Sequence, residues 1–497
     1  MRYLITGATG YIGGRLAPRL IEEGGADATV RCLVRDPGKL RDVPWARHAE
    51  IVRGDLLDTE SVRRACEDVD VVYFLVHSLA DRDFSALDRR AALILAEAAR
   101  AAGVRRIVYL GGLHPDGPLS EHLTSRAEVG EVLLRSGVPT AALQAAVILG
   151  SGSASFEMLR YLTERLPVML TPRWVHNRIQ PIAVRDVLRY LVGAAHLPPD
   201  VNRTFDIGGP DVLTYLDMMQ RYAAVAGLPR RRVVGVPVLT PRLSAHWVNL
   251  VTPVPKGIAA PLIESLVHEV VCREQDILRY VPDPPEGRIG YDRAVELALA
   301  KIRHGEVETH WSGAAVEGAP SDPLPSDPDW SGGSVYTDDR AQPCSAPPEE
   351  LWRVVVGIGG ERGWYSFPLA WSVRGWMDRL VGGVGLSRGR RDPDRLHVGD
   401  ALDWWRVEEI EDGTLLRLRA EMKVPGLAWL EMGVGPGPGG SRYTQRAVFV
   451  PQGLAGHLYW WSVAPFHGIV FGGMVRNITR TAERPAPEVT GAARRAS

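Results

Sequence analysis

Through the first 145 residues, short apolar runs alternate with stretches in which small and apolar residues recur at helical spacing. That alternation predicts strands at Tyr3 to Thr6, Thr29 to Val34, Glu50 to Arg53, Val71 to Val76, Arg106 to Leu110 and Thr140 to Ala145,. Helices are expected between them, at Gly13 to Glu23, Ser61 to Cys66, Asp88 to Ala102 and Arg126 to Ser136. Gly103 and Gly137 stand just past two of these helices, where a C-terminal cap wants positive φ,. Strand, helix, strand in repetition implies an α/β, doubly wound parallel sheet.

Beyond Ala145 the chain is richer in proline, and residues 146–302 are expected to build a substrate pocket, with strand and helix signals at Ile179 to Pro181, Asp186 to Ala195 and Thr204 to Ile207. Residues 303–333 carry Gly, Pro, Ser and Asp in quantity and read as an exposed linker,. A second domain is expected at 334–482. It opens with a helix start at Pro347 to Trp352, continues with antiparallel strands around Leu402 to Val407, Thr414 to Glu421 and Gln445 to Val450, and closes with a long helix from Leu454 to Thr481,. Residues 483–497 read as a disordered tail,.

A length of 497 residues exceeds what one core organises, in keeping with two domains,. The formal net charge of −1 provides no global field for nucleic acid, so no nucleic-acid partner is expected,. Cys32, Cys66, Cys272 and Cys344 lack any C-x-x-C spacing, which argues against a zinc site and a disulfide framework and suits a reducing cytoplasm,. The opening residues begin directly as a strand, so no signal or transit peptide is expected,. From Ala447 to Val475 there is no Asp, Glu, Lys or Arg. Membrane association of this stretch is one expectation; the other is a buried helix, favoured by the interrupting Pro451, Gln452, His457, Pro465 and His467,.

Gly7-Ala8-Thr9-Gly10-Tyr11-Ile12-Gly13 follows the first strand and opens the first helix. Glycines at this spacing let the backbone turn tightly and approach a pyrophosphate resting on a helix N-terminus. Gly7 serves the turn, Gly10 keeps a side chain away from the phosphates, and Gly13 lets helix and strand pack closely. At the end of the second strand, Arg35 and Lys39 stand where a 2′-phosphate would lie, with Asp36 turned aside into a Pro37-Gly38 turn,. NADP is the expected cofactor and NAD the alternative.

With the glycine loop, Arg35, the Gly54-Asp55-Leu56-Leu57-Asp58 run and Leu110-Gly111-Gly112, the chain resembles the atypical short-chain dehydrogenase/reductase superfamily, in its NmrA-like and epimerase-like branch, over roughly Met1 to Ile302. The resemblance implies a Rossmann-type fold. It also implies that Asp55 and Leu56 lie beside the adenine, and that Val76, His77, Gly111 and Gly112 line the nicotinamide half. Members typically carry Tyr-x-x-x-Lys, whose lysine lowers the tyrosine pKa for proton exchange with a carbonyl. This chain departs from that pattern: His122 and Arg126 occupy the matching positions. His122 is one candidate acid and His114 a rival; Arg126 is a candidate to hold the ribose and an oxyanion. Ser120 and Ser125 are candidates to bind a substrate oxygen. Arg178 and Gln180 either reach the pocket or serve loop packing.

In the second domain, Leu351 to Gly363, Val398 to Val407 and Gly456 to Trp461 resemble a bacterial domain of unknown function often fused to such reductases. That domain is similar to the START-like (SRPBCC, helix-grip) superfamily, which implies an antiparallel sheet wrapping a long C-terminal helix around an apolar cavity. Trp364, Trp371, Trp376, Trp404, Trp405, Trp429, Trp460 and Trp461 either line such a cavity or pack the core,. Glu361, Arg362, Arg388 and His467 are its candidate polar residues.

Two functions are expected from these readings. One is an NADPH-dependent oxidoreductase reducing a hydrophobic carbonyl or quinone compound that the second domain binds; the other is a non-catalytic NAD(P)-binding sensor or scaffold, favoured by the missing Tyr and Lys. A hydrophobic small molecule is the expected partner, with contact at a membrane surface an added option and the oligomeric state left open.

Overall fold

The computed structural model describes residues 1–25, 28–77, 83–115, 119–236, 248, 251–303, 327–328, 331–359, 363–365, 396–422 and 424–484. The chain divides into two compact units, Met1–Gly333 and Ser334–Ser497.

In the first unit, β1 (Arg2–Thr6), β2 (Thr29–Val34), β3 (Glu50–Arg53), β4 (Val71–Phe74), β5 (Arg106–Gly112), β6 (Thr140–Ala145) and β7 (Arg203–Ile207) form one sheet. Its order is β7-β6-β5-β4-β1-β2-β3, and every pairing is parallel. Each strand sends alternate residues to opposite faces. Tyr3, Ile5, Cys32, Val34, Val71, Tyr73 and Val108 join one buried cluster, while Leu4, Leu33, Val72, Phe74, Ile107 and Tyr109 join the other,. Both faces are therefore apolar and both are covered by helices. The first face is covered by α1 (Tyr11–Gly24) and α6 (Val184–Ala194), and the second by α2 (Thr59–Cys66), α3 (Phe84–Ala101) and α4 (Glu121–Leu134). The sequence pattern located all six leading strands; α3 begins earlier than the expected Asp88, at Phe84.

Beyond this sheet, α5 (Ala154–Arg165), α7 (Tyr215–Val225), α8 (Lys256–Ser265) and α9 (Tyr291–Arg303) are joined by two-stranded ribbons around further apolar clusters. The 303–333 stretch is not wholly the exposed linker its composition suggested. Most of it lies outside the described residues, but the Asp327 carboxylate is buried against Arg15, with side-chain exposures of 5% and 3%.

The second unit holds β8 (Tyr336–Cys344), α10 (Pro348–Val356), β9 (Ala401–Leu402), β10 (Trp405–Glu411), β11 (Leu415–Ala420), β12 (Gly426–Gly437), β13 (Gly440–Pro451) and the 30-residue α11 (Gly453–Ala482). Its sheet is antiparallel in the order β8-β13-β12-β11-β10-β9. The expected strand Leu402 to Val407 is interrupted: Asp403 takes φ 55°, which breaks it into β9 and β10. Phe471, Met474, Val475 and Ile478 of α11 join Leu416, Leu418, Leu430, Met432 and Tyr443 in one core. No helix among the described residues is long and apolar enough to cross a membrane. Leu458, Trp461, Phe466 and Ile469 on α11 are nevertheless exposed.

Candidate functional site

The strand order reverses between β1 and β4, so the loops leaving their carboxyl ends diverge and open a crevice between them,. The glycine loop sits there. Gly7 has φ +88°, and a Cβ on it would stand 3.0 Å from the Leu75 carbonyl oxygen. A Cβ on Gly13 would stand 2.2 Å from the Gly7 oxygen, so α1 reaches β1 this closely only with glycine at that position. Gly10 is the N-cap of α1, with no side chain to cap it and no carboxylate in the first turn. The positive end of the helix is thus left for an anion. Val76 flanks the turn: its Cγ2 is 3.1 Å from where the Gly7 Cβ would be.

At the end of β2, Arg35 and Lys39 are exposed. Asp36 has turned away from them, accepting a hydrogen bond from Gly38 N at 2.9 Å within the Pro37–Leu40 turn. The neighbouring loop after β3 is shaped by Asp55, whose Oδ1 accepts from Leu57 N at 2.9 Å, and by Gly54 N donating to Val34 O at 3.0 Å.

On the other side of the crevice, Arg126 Nη1 donates to Leu110 O at 2.9 Å, fixing the guanidinium beside the Gly111-Gly112 end of β5. Its Nε donates to His122 Nε2 at 3.4 Å, and His122 Nδ1 then donates to Ser265 Oγ at 3.2 Å. Ser265 passes its own hydroxyl proton to Pro261 O at 2.9 Å. His122 is buried, and that burial together with the Arg126 charge lowers its pKa to about 3. Expected as an acid, His122 has both ring nitrogens engaged and is neutral at pH 7. His77 lies nearby. The residue keeps exposed surface, while desolvation of its imidazole, then the charges of Arg126 and His122, depress its pKa well below the ordinary value,.

His114 is arranged differently. Its Nδ1 lies 3.3 Å from Gln144 Nε2, an amide donor, so the proton of the neutral imidazole sits on Nε2,. Its backbone oxygen accepts from Arg273, and partial burial followed by the Arg273 charge lowers its pKa. Between the two histidine candidates, only His114 keeps a ring N–H without a hydrogen-bond partner among the described residues.

The remaining candidates have local roles. Ser120 caps α4, accepting from Leu123 N at 3.3 Å. Ser125 is buried with no hydrogen-bond partner for its hydroxyl among the described residues. Arg178 is exposed and pairs with Glu269 at 2.9 Å. Gln180 is a buried clamp, donating to Gly209 O at 2.8 Å and accepting from Cys272 N at 3.0 Å. Sequence reasoning missed Ser265, Gln144 and Arg273, which reach the site from distant segments and carry no local motif.

In the second unit, Trp364 packs on both Trp404 and Trp405, stacked 5.5 Å from Trp404. Trp364 Nε1 donates to Asp403 Oδ2 at 2.7 Å. Trp429 is buried and donates to Glu408, Trp460 stacks on Tyr336, and Trp461 is exposed. His467 Nδ1 lies 3.5 Å from Asp338. Trp371, Trp376, Glu361, Arg362 and Arg388 lie outside the described residues.

Comparison with known proteins matches residues 7–150 to a family described as NAD(P)H-binding, and residues 330–474 to a family described as a protein of unknown function (DUF2867). The chain is 29% identical to a (4-alkanoyl-5-oxo-2,5-dihydrofuran-3-yl)methyl phosphate reductase of Streptomyces griseus, over 46% of this chain and 75% of that protein. It is 28% identical to an NAD(P)H azoreductase of Xenophilus azovorans, over 46% of this chain and 76% of that protein. It is 26% identical to a ceramide reductase of Caulobacter vibrioides, over 54% of this chain and 92% of that protein. The glycine cradle fits this family match, and the cofactor of the first unit is NAD(P).

Proposed function

We propose that the chain is an NADPH-dependent reductase of a hydrophobic carbonyl or quinone compound. The observation that carries this reading is the grouping, at the carboxyl ends of β1, β4 and β5, of the uncapped α1 N-terminus, the Arg126 guanidinium and the His114 ring with its proton on Nε2. When bound, the nicotinamide supplies the hydride. Tyr11, Ile12 and Gly13 hold the pyrophosphate through backbone N–H groups, and Arg35 and Lys39 pair with the 2′-phosphate. His114 Nε2–H donates a hydrogen bond to the substrate oxygen as negative charge develops there, and Arg126 adds a fixed positive charge. Water supplies the proton in this reading, because both His122 ring nitrogens are engaged within the protein and the one proton of the neutral His114 ring serves as the hydrogen-bond donor. Three relatives named as reductases support this reading.

In the same proposal, the second unit is a START-like domain that binds the hydrophobic compound. Its antiparallel sheet, long helix and apolar core support this. The exposed Leu458, Trp461, Phe466 and Ile469 support peripheral membrane contact, which sedimentation with lipid vesicles tests,.

A non-catalytic NAD(P) sensor is the second reading, favoured by the internal satisfaction of His122. Oxidation of NADPH against a panel of quinones and carbonyls separates the two, repeated with His114→Ala and Arg126→Ala. The reductase reading requires turnover that falls in both variants. Tight NADPH binding with no turnover on any substrate overturns it.

A further inference from the structure

Asp327 lies far along the chain from the glycine loop, beyond the residues matched as NAD(P)H-binding. Its carboxylate nevertheless reaches α1. Arg15 Nη1 donates to Asp327 Oδ1 at 3.0 Å and Nη2 to Oδ2 at 2.7 Å, a two-pronged pair with both side chains almost wholly buried. The same guanidinium donates to the Tyr11 carbonyl oxygen at 3.1 Å and lies 4.2 Å over the Tyr11 ring. Tyr11 is the first residue of α1, inside the nucleotide loop.

Gly332 makes a second tie. Gly332 N donates to Glu157 Oε1 at 3.2 Å, and that oxygen also accepts from Gly152 N at 2.8 Å. Gly152 belongs to the turn packed on Tyr11: Cβ atoms on Gly150 and Gly152 would fall 2.2 Å from the Tyr11 hydroxyl and 3.2 Å from its ring. Asp327 and Gly332 thus tie in on both sides of Tyr11, Asp327 through Arg15 and Gly332 through Glu157 and the Gly150–Gly152 turn.

We propose that Asp327 and Gly332 form a clasp that completes the NAD(P) site, with Asp327 a positioning residue acting through Arg15 on Tyr11. Arg15 sits on the second turn of α1, where a buried cation repels the positive helix end. Asp327 neutralises that cation and fixes its fork against the Tyr11 carbonyl, so the Tyr11 to Gly13 N–H groups keep the orientation a pyrophosphate needs. Without the carboxylate the guanidinium has reason to leave its seat, and the loop loses its support from below.

The inference rests on the NAD(P) assignment, so its test reads binding directly. NADPH is titrated into the full-length protein by fluorescence, for wild type, Asp327→Asn, Asp327→Glu and Arg15→Gln, with melting temperatures recorded alongside. Asp327→Asn and Arg15→Gln are expected to raise the NADPH Kd at least about tenfold, and Asp327→Glu, which keeps the charge, to recover most of it. Unchanged or tighter binding in Asp327→Asn overturns the clasp. So does a Kd change that follows the melting temperature alone and is not recovered by glutamate. Failure of the wild type to bind NADPH instead overturns the cofactor assignment.

Discussion

His122 Nδ1 and Ser265 Oγ, 3.2 Å apart and 143 residues apart in sequence, join α4 to α8 beneath the candidate site. The bond defines the tautomer of the ring and leaves Nε2 to accept from Arg126. His122 therefore positions Arg126, and its loss acts on stability before chemistry. Its pKa, lowered from 6.5 to about 3, gives a pH signature. The unfolded state takes up a proton below pH 6.5 that the folded state refuses until about pH 3, so this group's contribution is present above pH 6.5 and is lost as pH falls. At pH 5 the loss is about 2 kcal/mol relative to pH 7. Unfolding of wild type and His122→Gln at both pH values should show the gap between them narrowing at pH 5, while a constant gap would remove the assignment.

Gly10 and Gly13 predict different failures for the same substitution. A Cβ at residue 13 collides with backbone at 2.2 Å, so Gly13→Ala should destabilise the first unit by about 2–3 kcal/mol and abolish nucleotide binding,. At residue 10 the nearest atom is the Gly7 oxygen at 3.2 Å, a tight contact but well outside the collision at residue 13. Gly10→Ala should fold with nearly normal melting and still lose NADPH affinity, because the added methyl faces the phosphates. Paired thermal melts and NADPH titrations distinguish the two cases.

Arg35 and Lys39 are exposed at the end of β2 while Asp36 is occupied by its own turn. Each charge-assisted contact to a phosphate contributes about 1.5–3 kcal/mol, so Arg35→Ala should weaken NADPH roughly tenfold to a hundredfold and leave NADH unchanged. Lys39→Ala should have a smaller effect of the same sign, since a lysine offers a point charge rather than a fork. Equal affinity of the Arg35→Ala protein for both cofactors, at the wild-type NADPH level, would discard the 2′-phosphate role.

The parts of the site legible in sequence are those set by local backbone demands. Gly7 and Gly13 announce a positive φ and a close approach, and the Asp36-Pro37-Gly38 turn announces a carboxylate bent back on its own chain. The short apolar runs of β1, β2 and β4 reveal strands of a sheet buried on both faces,. What sequence could not supply were the long-range partners. His122 looked like an acid because nothing near it in sequence shows Ser265 closing its second nitrogen. Asp327 looked like solvated linker because its partner Arg15 is far away in the chain. His114 stands only as the rival to His122 in the sequence, because nothing near it shows Gln144 facing its Nδ1.

The second unit yields its own test at Asp403, where backbone and side chain act together. The residue takes φ 55°, which aspartate and asparagine tolerate better than most, and its Oδ2 accepts the buried Trp364 indole proton at 2.7 Å,. Asp403→Asn retains both features and should cost little. Asp403→Ala removes the acceptor from a buried donor, at about 1–3 kcal/mol, and adds the left-handed strain of about 1–2 kcal/mol. Because Trp364 stacks on Trp404 and contacts Trp405, the loss should appear as weakened near-ultraviolet circular dichroism and a lower melting transition. Equal melting of the alanine and asparagine variants would show that neither the indole bond nor the backbone conformation at Asp403 supports the core.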